Sequence, residues 1–211
     1  MNKIEINVGI DTSSTQLDIY VRPAGSFFSA PNNKDGIKEA VKKLQTLKPT
    51  RVLIESTGRL ELEFVCAAHK AGLPIVVCNP SQVRQFAKAA GRVAKTDKLD
   101  AHDIAHFGEA MKPQLSSIKP EKLREISDLL TVRSQCLEMS TMQKNRLKRM
   151  PKTVHKPIQT ILKAIKRELE GIDRKLDRLV DSCADWRQRR DLLLSAKGVG
   201  NVLAYTLMSE L

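Results

Sequence analysis

From Ile158 to Cys183 the apolar residues Ile158, Leu162, Ile165, Leu169, Ile172, Leu176, Leu179 and Cys183 step by four and three alternately. That spacing keeps one narrow face through about seven turns of α-helix, whereas a strand would repeat every second residue. A stripe sustained this long is a coiled-coil seam, closed either within the chain as an antiparallel hairpin or between chains. The segment before it carries a second stripe, Leu129, Val132, Cys136, Met139 and Met142, that runs up to Pro151. Residues 118–190 therefore read as an all-α coiled-coil segment.

The first 111 residues have another texture. Ile4, Ile6, Val8 and Ile10 alternate along a half-buried strand that ends at Asp11, and Leu17–Val21 reads as a strand returning beside it. Phe27–Ala30 is a candidate third strand, Ile37, Val41 and Leu44 mark a helix, and Val52–Ile54 is a short buried strand ending at Glu55. A helix from about Leu60 to Ala71 stops at Gly72, Pro74–Val77 is the next strand, and further helix follows Pro80 and Thr96, a candidate N-cap. Hairpin strands followed by strand–helix–strand units predict a mixed sheet with flanking helices over 1–111.

The net charge of +12 is unevenly placed. Residues 1–110 carry 15 Lys and Arg against 12 Asp and Glu, and residues 111–211 carry 21 against 12. A basic half joined to a near-neutral half reads as a polyanion grip on a compact domain. No apolar run reaches the roughly 18 residues of a membrane span and no signal-peptide block opens the chain, so a cytoplasmic protein without a membrane is expected. Cys66, Cys78, Cys136 and Cys183 form no CxxC pair and read as reduced core residues.

Carboxylates gather at three places. Asp11 and Glu55 each end an apolar strand, and on neighbouring strands they would sit side by side at one edge of the sheet. Asp97 and Asp100, three apart on a helix, share a face. Such acids repel one another unless a cation sits between them, and an all-oxygen set suits Mg²⁺ or Mn²⁺ in phosphodiester chemistry. His102-Asp103-Ile104-Ala105-His106 imitates the H-E-x-x-H zinc pattern, but it lacks a third ligand and lies largely round the helix from Asp100. The turn Lys197-Gly198-Val199-Gly200 between two helical patterns could aim backbone N–H groups at a phosphate, or could be a plain helix–helix turn. The apolar helix after it, Val202 to Met208, has no obvious partner in the pattern.

Three motifs in order, Val8-Gly9-Ile10-Asp11, Ile54-Glu55-Ser56-Thr57-Gly58 and Lys95-Thr96-Asp97-Lys98-Leu99-Asp100-Ala101, resemble the DEDD transposases of bacterial insertion sequences and the related pilin-gene inverting recombinases. The resemblance continues to Lys197-Gly198-Val199-Gly200 and so covers essentially the whole chain. It implies an α/β, RNase H-like (RuvC-like) domain whose acidic tetrad, here Asp11, Glu55, Asp97 and Asp100, is catalytic and binds Mg²⁺ or Mn²⁺. It implies a coiled coil used to form a homo-oligomer, DNA and a structured guide RNA as partners, and a nucleoid-associated place in a bacterium. Lys95, Lys98, Lys144, Arg146, Lys148, Arg149, Lys197, Gly198 and Gly200 are the expected nucleic-acid contacts. In the family a serine of a C-terminal transposase domain joins DNA covalently. Residues 191–211 correspond only to the start of that domain, and Ser209 comes too early to be that serine, so an incomplete form is expected. The alternatives are a stand-alone RuvC-like nuclease and a non-catalytic coiled-coil nucleic-acid-binding protein. Gly9–Ser14 also resembles the opening of actin-like sugar kinases, but the basic helical half does not supply that fold's second phosphate loop.

Overall fold

Five strands, β1 (Asn7–Thr12), β2 (Gln16–Arg22), β3 (Ser26–Pro31), β4 (Arg51–Glu55) and β5 (Ile75–Cys78), form one mixed sheet in the order β3-β2-β1-β4-β5. The structure, a computed structural model, describes residues 4–91 and 97–210, with the backbone alone for 97–99. β1 pairs antiparallel with β2 and parallel with β4, placing Gly9 opposite both Tyr20 and Leu53. The strand starts later than its alternation suggests. Ile4 is 73% exposed, because pairing begins only at Asn7, opposite Arg22 and Arg51.

The two faces of the sheet are covered differently. Val8, Ile10, Leu17, Ile19, Val52 and Ile54 point to one face and pack under α1 (Lys34–Leu47) and α2 (Leu62–Lys70) through Ile37, Val41, Leu44, Phe64 and Ala68. Asn33 opens α1 by accepting a bond from the Gly36 N–H at 3.0 Å, which satisfies one of the amides a helix start leaves free. The opposite face carries Leu53, Val76 and Cys78, packed with Val83 of α3 (Pro80–Ala89) and with Ile104 and Phe107 of α4 (Asp97–Met111). The α/β arrangement is consistent with the RNase H-like expectation.

Helix α4 is seated unusually close to the sheet. A Cβ at Gly9 would collide with the Ala101 carbonyl oxygen and the Ala105 amide, and one at Gly108 would collide with the Leu53 side chain. The obstacle at Gly9 is backbone, which cannot rotate aside, so the helix comes this near only because β1 has no side chain there.

From Lys119 onward a second compact unit is entirely helical. Helix α5 (Glu121–Arg149) and helix α6 (His155–Asp181) are joined by a 3-10 turn at Lys152–Val154. Arg133 meets Asp173 at 2.7 Å and Lys122 meets Ser182 at 3.2 Å. Both pairs are centred on that turn, so the helices run antiparallel as a hairpin. Along the α6 stripe, Ile158, Ile165, Ile172 and Leu176 are buried, while Leu162, Leu169, Leu179 and Cys183 are half-buried. The α5 stripe is corrected. Ile126 is buried and Leu129 and Cys136 pack beside it, but Val132, Met139 and Met142 stay 46–48% exposed. The heptad step from Ile126 leads to Arg133 and Ser140, so the facing side of α5 is partly polar and the methionines turn outward.

Helix α7 (Ala184–Leu194) leads to α8 (Asn201–Glu210), whose Tyr205 and Met208 join the Ile126–Leu176–Val180 core. The C-terminal apolar helix thus has a partner that its pattern does not reveal. Tyr205 is 1% exposed and donates to Asp177 Oδ1 at 2.5 Å.

Two outcomes follow from this packing. Gly9→Val should destabilise the protein by about 3 kcal/mol, lowering Tm by roughly 6–12 °C in a thermal melt. Burial, then the Asp177 hydrogen bond and charge, push the Tyr205 hydroxyl up to about 12. An unfolded tyrosine ionises near pH 10, so the protonated group adds stability below pH 10 that is lost as pH rises through 12. Tyr205→Phe should flatten stability between pH 10 and 12 in alkaline urea titrations and remove the late phase of phenolate absorbance.

Candidate metal centre

The register of the sheet lines up four side chains on the α4 face, at the end where the parallel strands finish. Asp18 of β2 stands opposite Asp11 of β1, and Glu55 of β4 stands opposite Cys78 of β5. Ile10 pairs with Ile54, so Asp11 and Glu55 are the next residues along two adjacent parallel strands. Side chains alternate across a strand, so Asp11 shares the face of Gly9, and Glu55 that of Leu53. Asp11 and Glu55 are both half-buried. The Glu55 charge is felt by its neighbour: burial first, then Glu55, pushes the Cys78 thiol up to about 12. Cys78 is therefore a buried, inert thiol beside the acids rather than a nucleophile.

Helix α4 brings the second pair of acids toward the same end. Ala101 and Ala105 lie over Gly9, and Glu109 pairs with Arg22 at 2.6 Å, beside Asn7 at the start of β1. The helix therefore runs opposite to β1, and its first turn lies toward Asp11. Asp100 is half-buried on that first turn. Asp97 opens the helix, but its side chain, like that of Lys98, lies outside the described residues, as do Lys95 and the Thr96 cap. Among the described residues no three His, Cys, Asp or Glu side chains are close enough to hold an ion.

Asp18 is an acid that its sequence context does not single out. It is 6% exposed and accepts from Gln16 Nε2 at 2.8 Å and from Ser29 Oγ at 2.5 Å. In the sequence it is the one charged residue of Leu17–Val21, but its place beside Asp11 depends on the length of the turn. Ser13 N and Oγ close that turn on the Gln16 carbonyl at 2.9 and 3.1 Å.

The His102–His106 pair is used structurally. His102 lies 3.0 Å from Arg22 Nη1 and 3.2 Å from Asp103 Oδ1, with its ring edge-on to Tyr20. The His106 ring lies edge-on to Phe86. Arg22 thus clamps β2 to α4 through Glu109 and His102.

The remaining expected contacts lie in the helical unit. Lys144, Arg146, Lys148 and Arg149 are exposed at the end of α5. Lys197, Gly198 and Gly200 are exposed in the turn between α7 and α8, where Gly198 takes φ +91° and Val199 N–H bonds the Ala196 carbonyl. That is a tight helix–helix turn with glycine in the left-handed region that favours it.

The buried acid depends on its donors. Ser29→Ala should cost about 1–3 kcal/mol in chemical denaturation, because Asp18 then keeps a buried carboxylate with one bond fewer.

Residues 8–155 match the sequence profile of an IS110-type DEDD family described as transposase. The chain is 23% identical over 201 residues to the pilin gene-inverting protein of Moraxella bovis, and equally to that of Moraxella lacunata. Each alignment covers 92% of this chain and 62% of the relative, so the chain spans about three-fifths of the length of these proteins.

Proposed function

The chain belongs to the IS110-type family of DEDD transposases, and on that premise we propose that it supplies the metal-binding and DNA-binding part of a transposase or site-specific recombinase. The observation that carries this reading is the placement of Asp11 and Glu55 at the same end and face of two adjacent parallel strands, with the first turn of α4 directed there. Asp11, Glu55, Asp97 and Asp100 are the proposed ligands of Mg²⁺ or Mn²⁺. Carboxylates alone form a hard oxygen set, which suits those ions and leaves positions for phosphate oxygen and water.

A bound ion would polarise a phosphodiester and stabilise charge on the leaving oxygen. The protein's own part is positional. The close seat of α4 directs its first turn toward the two strand ends, where Asp18 and Cys78 are the buried neighbours of Asp11 and Glu55. Lys95 and Lys98, next to Asp97 and Asp100 in the sequence, are the proposed contacts to the phosphate backbone. A structured guide RNA as a further partner and a homo-oligomer formed through the helical hairpin complete the proposal.

The reading is tested by calorimetric titration of Mg²⁺ or Mn²⁺ into the protein and into Asp11→Asn, Glu55→Gln and Asp100→Asn. Each change should weaken ion binding at least tenfold while leaving the melting temperature equal or higher, since like-charge repulsion is relieved. Unchanged ion binding in all three would reject the metal centre. Metal-dependent cleavage of branched DNA by this chain alone would instead identify a stand-alone nuclease.

A further inference from the structure

The hairpin of α5 and α6 is electrically polarised along its length. Residues 139–167 contain nine Lys and Arg (Lys144, Arg146, Lys148, Arg149, Lys152, Lys156, Lys163, Lys166 and Arg167) and no Asp or Glu. The antiparallel pairing centred on Lys152–Val154 folds this stretch upon itself. All nine cations therefore fall on the distal half, the half that carries the tip. The proximal arms, Glu121–Glu138 and Glu168–Asp181, hold nine acids and six bases. Two observations show that the distal charge is unspent within the protein. All nine side chains are exposed, and only Lys166 and Arg167 make ion pairs among the described residues, with Glu170 and Glu168.

The arrangement is also ordered. At about 100° per residue, Lys156, Lys163 and Arg167 fall within one narrow stripe of α6, on the side away from the Ile158–Ile165–Ile172 seam. The tip is closed by Val154 N–H bonding the Pro151 carbonyl at 3.1 Å and by His155 Nε2 lying 2.9 Å from the Met150 carbonyl oxygen. Concentrated like charge on a packed hairpin costs stability through self-repulsion, which a polyanion relieves.

We propose that the distal half of this hairpin is a duplex-DNA backbone grip, independent of base sequence. About 14 residues per arm give a rod of roughly 21 Å, and B-DNA presents about 12 phosphates over that length at one charge per ~1.7 Å. Nine cations match that density. A second copy of the hairpin fits less well, since the net charge of its proximal arms would neutralise only a third of them. The inference rests on the reading of the chain as a DNA-acting protein, and it is independent of the acidic tetrad.

The test measures anisotropy of a labelled 30-base-pair duplex bound by the full chain in EDTA, at potassium chloride from about 50 to 200 mM. Arg146→Gln/Lys148→Gln/Arg149→Gln/Lys152→Gln should lower the slope of log affinity against log salt by about 3–4, or about 0.9 for each phosphate no longer neutralised. The proximal set Arg174→Gln/Lys175→Gln/Arg178→Gln should leave the slope unchanged. Should the fourfold variant fail to fold, Lys148→Gln and Lys152→Gln singly should each lower the slope by about 1. An unaltered slope in folded distal variants, or an equal fall in the proximal set, overturns the proposal. So does a slope change seen with duplex RNA but not with DNA. Disappearance of a dimer in sedimentation with DNA binding intact would assign the surface to a second copy instead. Because EDTA removes divalent ions, failure of the metal reading does not alter this outcome.

Discussion

The contact between β1 and α4 at Gly9 governs the α/β unit. A helix normally rests on the side chains of a sheet, at a distance those side chains set. Here the strand offers no Cβ and the helix answers with Ala101 and Ala105, the smallest side chain that good helix geometry allows. The backbones then meet, and every other feature of that face follows from the short distance. Gly108 admits the Leu53 side chain further along the helix, and Arg22 is near enough to hold both Glu109 and His102. The first turn of α4, with Asp97 and Asp100, is directed toward the strand ends that carry Asp11 and Glu55. A larger residue at position 9 would lift the helix off β1.

In the helical unit a different constraint operates. The α6 stripe is apolar throughout, but the facing side of α5 alternates apolar residues with Arg133 and Ser140. The hairpin is therefore densest near its base, where Ile126, Leu176, Val180, Tyr205 and Met208 form one cluster. Toward the tip, burial thins and charge takes over. A charged pair at the middle of the seam, Arg133 with Asp173, is weak as a source of stability because both ends reach solvent, yet it fixes register by penalising a slip. Apolar packing is concentrated at the base of the hairpin and like charge at its tip.

Much of this is legible in the chain. The alternation of Val8 and Ile10, the helix stripe of Ile37, Val41 and Leu44, the stop at Gly72 and the long α6 repeat each have one low-energy reading, because burying an apolar face requires that period. The acids at Asp11 and Glu55 can be placed at strand ends for the same reason. Other features resist. Leu129, Val132, Cys136 and Met139 keep a fair heptad that points the α5 methionines inward, yet the partner helix chose the adjacent stripe through Ile126. The partner of α8 is not readable, since a short apolar helix does not announce which groove it fills. Asp18 does not stand out because only the register of a tight turn sets it against Asp11.

The sequence by itself determined which residues are apolar at which period, which segments are strand and which helix, where the excess positive charge lies and which acids end the strands. Those are local matters, settled by side-chain size, backbone freedom and the cost of exposing an apolar face. Only the tertiary structure decided which strand lies beside β1, which stripe of α5 meets α6, and that residues 139–167 fold into one charged half-rod. Pairing and register join residues far apart in the chain, and their energy depends on the fit of two surfaces at once, which neither segment carries alone.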